Sequence, residues 1–305
     1  MAVVKEITVI ETKAKGAKKK INNQSWSYLF LVPALIAVTA VVIIPFVIGI
    51  YYSFTKWDGI DSATFIGLEN FKRLFQDKDF LSSLWFTIKF STVTVLLINL
   101  IGLTLALIVT QKFRGSSVLR TIFFMPNLIG GLILGFIWQF VFIKGFSAVG
   151  EALGTQLFSG WLADSTTGFL GMVLMVAWQY AGYIMVIYIA FLQGVDESLL
   201  EAASLDGASE WQKFLHVKFP MIRPAFTISL FMTLSFCFKI YDQNLALTAG
   251  GPYKSTTMVA MDIVNTAFSQ REMGLAQAKG MIFFLILAGV SLTQVYFSRK
   301  KEVQV

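Results

Sequence analysis

Apolar runs of about 20 residues alternate with short polar stretches along almost the whole chain. A run of that length crosses a bilayer core as a helix. The pattern predicts six crossings, at residues 28–54, 90–110, 121–143, 167–193, 224–247 and 280–298. The expected fold is an all-α integral membrane protein, with a disordered tail over residues 1–26 and a six-span domain over 27–305. Residues 21–55 carry no charge. That stretch is too long for the apolar part of a secretory signal, so it reads as the first span.

The polar interruptions are as informative as the spans. In the first outer loop, Phe71, Leu74 and Phe75 recur at helical spacing and predict a short amphipathic helix on the membrane surface. After the fifth span, Gly250-Gly251-Pro252 cannot continue a helix. The apolar piece 258–268 is too short to span and contains Asp262. It is expected to be a partly re-entrant outer segment, tolerated only if buried in protein.

The longest interruption is residues 194–224, GVDESLLEAASLDGASEWQKFLHVKFPMIRP. Ser198-x-x-Glu201 and Ser209-x-x-Gln212 each have the form of a capping box that opens a helix. Asp206-Gly207 between them is a helix stop and turn. Trp211, Phe214 and Leu215 form an apolar stripe on the second helix. The stripe needs a partner surface, either the chain's own spans or another protein.

Composition and charge fix the class and the orientation. The chain is 56% hydrophobic and 14% charged, against about 25% charged in an average soluble domain. A nucleic-acid reading would need the net charge of +7 on a soluble fold. With six spans both ends lie on one side. The tail, residues 111–120, residues 194–224 and the C-terminus together hold 15 Lys and Arg, against 9 in the alternate loops. The positive-inside rule therefore predicts both termini and the 194–224 loop in the cytoplasm, with the chain multi-pass in the cell membrane.

No G-x-x-x-x-G-K-[ST] occurs, so the chain is expected to bind no nucleotide and hold no cofactor or metal. The lone His216 reads as a surface group, and Cys237 as a small buried hydrophobe. Gly130, Gly131 and Gly135 in the third span favour close helix packing.

The anomaly is Lys239 and Asp242 in the fifth apolar run. Charges there usually face a bundle interior or a wet cavity. Three residues apart, they fit one helix face as an ion pair. Phe236, Lys239 and Gln243 share a face as well, and the fourth span offers Trp178, Gln179, Tyr180 and Tyr183. An aromatic platform with hydrogen-bonding ends suits a sugar. A structural ion pair and an interfacial aromatic belt are the alternatives.

The stretch EAASLDGA, followed by Phe214, Val217, Pro220 and Pro224, resembles the EAA loop of ABC-importer permeases, and within them the sugar permeases of maltose type. Val217 and Phe219 stand where that consensus has Ile and Leu. The resemblance extends from the first span to the sixth and includes the Gly250-Gly251-Pro252 element.

The resemblance implies a type I importer permease fold that works by alternating access, with no enzyme activity of its own. The 194–224 loop becomes a coupling helix, with Ser198, Glu201, Ala202, Ala203, Asp206, Gly207, Trp211 and Phe214 facing an ATPase. The implied partners are a second homologous permease, two ATP-binding subunits that use ATP and Mg, and an external sugar-binding protein, all in a lipid membrane. Counting along the family pattern puts Tyr183 and Phe236 at sugar contacts, within a site comprising Gln179, Tyr180, Lys239, Asp242 and Gln243. Family asparagines fall on Val176, Cys237 and Ile240, so the substrate itself does not carry over.

Two rivals remain. An ion-gradient transporter would place acidic relays in several spans, and only the fifth carries clear charges. A membrane enzyme would need a His, Asp or Glu cluster at one face, and the sequence offers none.

Overall fold

The computed structural model describes residues 23–111 and 114–300. Residues 1–22, most of the expected tail, lie outside the described residues, and 23–26 already belong to a helix. The chain divides into two compact units, residues 1–51 and 52–305.

The first unit holds α1 (Asn23–Val38), a π-turn (Thr39–Ile43) and most of α2 (Ile44–Ser53). None of the apolar window of this span is buried, and Val41 and Ile36 are among its exposed side chains. The widened turn has a local cause. Pro45 has no N–H to give its i−4 carbonyl, and the backbone instead bonds from Ile44 back to Thr39. The same device recurs at Phe214–Lys218, two residues before Pro220.

In the second unit, β1 (Thr55–Lys56) and β2 (Thr64–Phe65) form a small antiparallel hairpin, Thr55 opposite Phe65. Then follow α3 (Glu69–Gln76) and α4 (Lys78–Val109). The predicted amphipathic helix is α3, but it packs on its own chain. Leu74 is buried, and Asn70 donates to the carbonyls of Ser53 and Thr55 at 2.9 and 2.8 Å. Phe75 stays exposed.

The third apolar run is broken. After α5 (Ser116–Phe124) comes a 3₁₀ turn, Met125–Leu128, that contains Pro126, then extended backbone at Ile129. The helix resumes as α6 (Gly131–Phe140), passes a π-turn at Val141–Gly145, and ends as α7 (Phe146–Leu153). The crossing is therefore Gly131–Leu153, further along than the hydropathy run of 121–143 suggests. A continuous crossing, α8 (Ser165–Leu192), follows.

The polar loop forms α9 (Glu197–Leu205), α10 (Glu210–Lys213) and α11 (Phe219–Met221). The chain bends by 67° into α12 (Arg223–Phe238). At 16 residues α12 is about 24 Å long, short of the ~30 Å hydrocarbon core. It stops at Phe238, and α13 (Asp242–Leu247) begins after a break. Lys239 and Asp242 therefore do not share one helix face. Both are exposed, and no ion pair between the described residues joins them.

The segment before α15 (Met273–Arg299) contains the short α14 (Val259–Val264). Thr256, Met258 and Val259 are fully buried, as irregular backbone at this depth requires. Asn244 ties it down: its amide donates to the Thr256 carbonyl at 2.8 Å and its oxygen accepts from Met258 N–H at 3.1 Å.

A charge that sits outside the hydropathy runs organises the end of the bundle at which α4 and α15 begin. Lys279 is fully buried, with its ammonium 2.7 Å from Asp77, 2.8 Å from Asp262 and 2.8 Å from the Thr266 hydroxyl. Asp77 also caps α4 by accepting from the backbone of Asp79 and Phe80. One cation thus joins α4, α14 and α15. The remaining core is centred on α4, α8 and α12, around Ile98, Tyr188 and Ala225.

Candidate functional site

Two sites emerge along the same pair of helices, one at the polar loop and one near the middle of α8: α8 leads into the loop and α12 leads out of it.

The loop is built from caps. Asp196, not Ser198, is the N-cap of α9, accepting from Ser198 N–H at 2.9 Å. Ser198 lies one residue inside the helix and Glu201 is exposed on it, so the first capping box does not form. Burial plays no part in holding the Asp196 carboxyl below its usual range: the Ser198 backbone and hydroxyl do so. At the other end Gly207 N–H bonds Ser204 and Ala208 N–H bonds Ala203 at 2.9 Å, a Schellman stop. Gly207 takes φ +78°, which side chains resist. The second capping box is complete: Ser209 accepts from Gln212 N–H, and Gln212 accepts from Ser209 N–H at 2.8 Å.

The resulting hairpin presents Glu201, Ala202, Asp206 and Gly207 to solvent, with Ala203 half-buried. The apolar stripe is partly covered: Phe214 is half-buried, and Trp211 and Leu215 are exposed. Trp211 is 66% exposed and stacks on Phe214 at 5.6 Å. Behind the hairpin lies a cavity of about 800 Å³, walled by Thr110, Arg120, Gln193, Trp211 and Lys218. It lies between the hairpin and the ends of α4 and α8.

The second site lies between α8, α12 and α13. Tyr180 stacks on Phe236 at 4.9 Å, and Tyr183 meets the same ring edge-on at 5.9 Å. Gln243 donates to Gln179 at 3.1 Å and to the Tyr180 hydroxyl at 3.5 Å, while Gln179 donates to the Ile129 carbonyl at 3.2 Å. Five of the seven predicted residues thus form one cluster of ring faces and amides. Lys239 and Asp242 sit apart at the break, exposed. Trp178 points away and packs on Trp138 at 5.6 Å.

Sequence reasoning missed the third wall. Gly131 and Gly135 let α13 approach α6: a Cβ on Gly131 would stand 2.8 Å from the Gln243 amide carbon, and one on Gly135 2.5 Å from the Ala246 methyl. The glycine spacing signalled the close packing, but nothing in it named Gln243 as the neighbour.

The cluster holds the group types that a neutral sugar needs, ring faces and amides, with Gln179 and Gln243 buried and bonded to one another. Among the described residues, the one fully buried ammonium is Lys279, and two carboxylates already occupy it.

Known proteins fit this geometry. The chain is 50% identical over 291 residues to a probable starch degradation products transport system permease of Thermoanaerobacterium thermosulfurigenes, covering 95% of this chain and 99% of that one. It is 31% identical over 287 residues to a multiple sugar-binding transport system permease of Streptococcus mutans, covering 93% and 99%. A bacterial alginate ABC transporter, solved in complex with an alginate pentasaccharide-bound periplasmic protein, has the same fold: TM-score 0.80 at 20% identity, over 95% and 99% of the two chains. Residues 98–303 match the binding-protein-dependent transport system inner membrane component. With its fold and two thirds of its length in agreement, the chain belongs to that family of importer permeases.

Proposed function

We propose that this chain is a permease subunit of an ATP-driven importer for neutral, starch-derived oligosaccharides. The observation that carries the reading is the Tyr180–Tyr183–Phe236 cluster with Gln179 and Gln243, set between the two helices that flank the exposed hairpin. Sugar C–H faces stack on aromatic rings, and the amides match hydroxyls. A phosphate or uronate would call for an unpaired buried cation. The relative named for starch degradation products supports the glucan class.

The mechanism is alternating access. A second permease subunit pairs with this one, in a distinct chain, and two ATPase subunits bind ATP and Mg on the cytoplasmic side. Their closure moves the hairpin, which carries Ser198, Glu201, Ala202, Ala203, Asp206, Gly207, Trp211 and Phe214 to the ATPase surface. The spans rock, and an external binding protein delivers sugar to the cluster. Both chain ends face the cytoplasm. Lys239 and Asp242 line the outer approach to the cluster as exposed polar groups.

The test is transport in proteoliposomes holding the whole complex. Phe236→Ala and Gln243→Ala are expected to raise the maltotetraose concentration needed for half-maximal uptake by roughly tenfold, the loss of one buried stacking or hydrogen-bonding partner. Uptake of glycerol phosphate in preference to maltotetraose would overturn the glucan reading. Unchanged maltotetraose dependence in both variants would move the site elsewhere.

A further inference from the structure

Between the hairpin and the aromatic cluster, the three central spans are joined by a closed ring of hydrogen bonds. Tyr188 on α8 donates its hydroxyl to the Asn99 oxygen on α4 at 2.9 Å. Asn99 donates to the Thr233 hydroxyl on α12 at 3.1 Å. Thr233 donates to the Ser229 carbonyl at 2.7 Å, and the Ser229 hydroxyl returns to Tyr188 at 2.8 Å. All four side chains are at most 4% exposed.

The ring occupies a particular level. Tyr188 is five residues past Tyr183 and six before Gly194, where the loop begins. At 1.5 Å per residue it lies about 8 Å from the cluster and about 9 Å from the loop. Thr233 is three residues, about one turn, short of Phe236.

Apolar contacts alone do not fix these helices against one another. In a bilayer, lipid tails compete equally with apolar side chains, so close packing and interhelical hydrogen bonds set the register. Packing contributes at Gly102, where an added Cβ would stand 3.1 Å from the Ala181 carbonyl. The ring contributes direction: each of its bonds between helices is satisfied in one register only.

We propose that this ring is the rigid link between the moving hairpin and the sugar site, with Tyr188 as its positioning residue. It fastens α8 and α12, both arms of the lever, to α4. Displacement of the hairpin is then delivered to Tyr183 and Phe236 as movement of one three-helix body. Without the ring, α8 and α12 slide on α4 and part of the displacement is absorbed below the cluster. The inference rests on the reading of the hairpin as the ATPase-driven lever.

The experiment measures maltotetraose carried per ATP hydrolysed by the full complex in proteoliposomes. Tyr188→Phe keeps the ring volume and removes two of the bonds. Complex yield and ATP hydrolysis are expected to persist while sugar per ATP falls roughly sevenfold; Ser229→Ala, which removes one bond, is expected to lower it roughly threefold. Unchanged sugar per ATP in both variants overturns the proposal. So does a lowered yield of complex with normal sugar per ATP, because that is the signature of a purely structural bond. Should Tyr188→Phe fail to assemble, Ser229→Ala alone decides on the same ratio. Gly207→Trp separates the two layers: transport blocked there but normal in the ring variants overturns the link and keeps the lever, while normal transport in Gly207→Trp overturns both.

Discussion

The 194–224 hairpin and the end of the molecule around Lys279 are stabilised in opposite ways. The hairpin is self-contained. Its caps join residues two to five positions apart, from Asp196–Ser198 to Ala203–Ala208. The Lys279 end is cross-linked across the whole chain: Lys279 to Asp77, Lys254 to Asp79 and Arg73 to Glu272. On the proposed reading a separate protein grips the hairpin, which must then hold its shape without support, and local caps do that. The segment before α15 carries irregular backbone, and only long-range partners hold it in place. The contrast therefore predicts where a single substitution unfolds the protein and where it merely disconnects it.

The largest effect belongs to Lys279→Met. The substitution keeps the length of the side chain and leaves Asp77 and Asp262 facing each other without their cation. Breaking a buried pair by removing one partner costs about 3–5 kcal/mol. Thermal unfolding of the purified chain should show that loss. A midpoint within a degree of wild type would mean that the cluster does not bear on stability. Gly207→Val is the counterpart in the hairpin. A β-branched residue at φ +78° costs about 1–2 kcal/mol locally, and the rest of the fold does not depend on it. Wild-type unfolding with loss of ATPase co-purification is expected, and retained co-purification would break the contrast. Ser209→Ala is smaller still, about 1 kcal/mol for a lost cap. Faster amide exchange confined to residues 210–213 would show it.

The same contrast explains what could be read from the sequence. The hairpin was legible because turn and cap chemistry is local: Gly207 and the Ser209–Gln212 box stand as the pattern demands. Ser198 was misplaced by two residues because Asp196 outcompetes it for the cap. The pocket was half legible. Aromatic and amide residues inside apolar runs marked α8 and the region after α12, but the break at Lys239 turned one presumed face into two. The Lys279 cluster was not legible at all. Hydropathy placed Lys279 one residue outside the sixth run and Asp262 in a loop, and pairing at long range leaves no periodic trace. Lys239, the conspicuous charge inside an apolar run, stands in the open, and the buried charge is Lys279.

The smallest and sharpest prediction concerns acid. Asp77 and Asp262 share one ammonium but titrate in opposite directions. For Asp77, burial pushes the carboxyl up. Hydrogen bonds from Lys279 and from the backbone of Phe80 and Asp79, with the Lys279 charge, outweigh it and hold the carboxyl below the usual range. For Asp262, burial prevails over Lys279 and the carboxyl lies above it. A lowered carboxyl contributes stability that is present above the unfolded value and lost as pH falls through the folded one. A raised carboxyl does the reverse: the folded state holds its proton more tightly, so stability falls as pH rises from the unfolded value, about 3.9, through the folded one. In the wild type the two slopes occupy adjoining windows below and above the ordinary aspartate range. Asp262→Asn should remove the upper, falling slope and leave stability rising with pH through the acid range. Asp77→Asn should remove the lower, rising slope and leave stability falling. Unfolding midpoints of the two variants recorded from acid to neutral pH should therefore diverge in slope. Parallel curves would mean that the carboxylates do not divide a single cation, and the Lys279 end would lose the long-range anchor that distinguishes it from the hairpin.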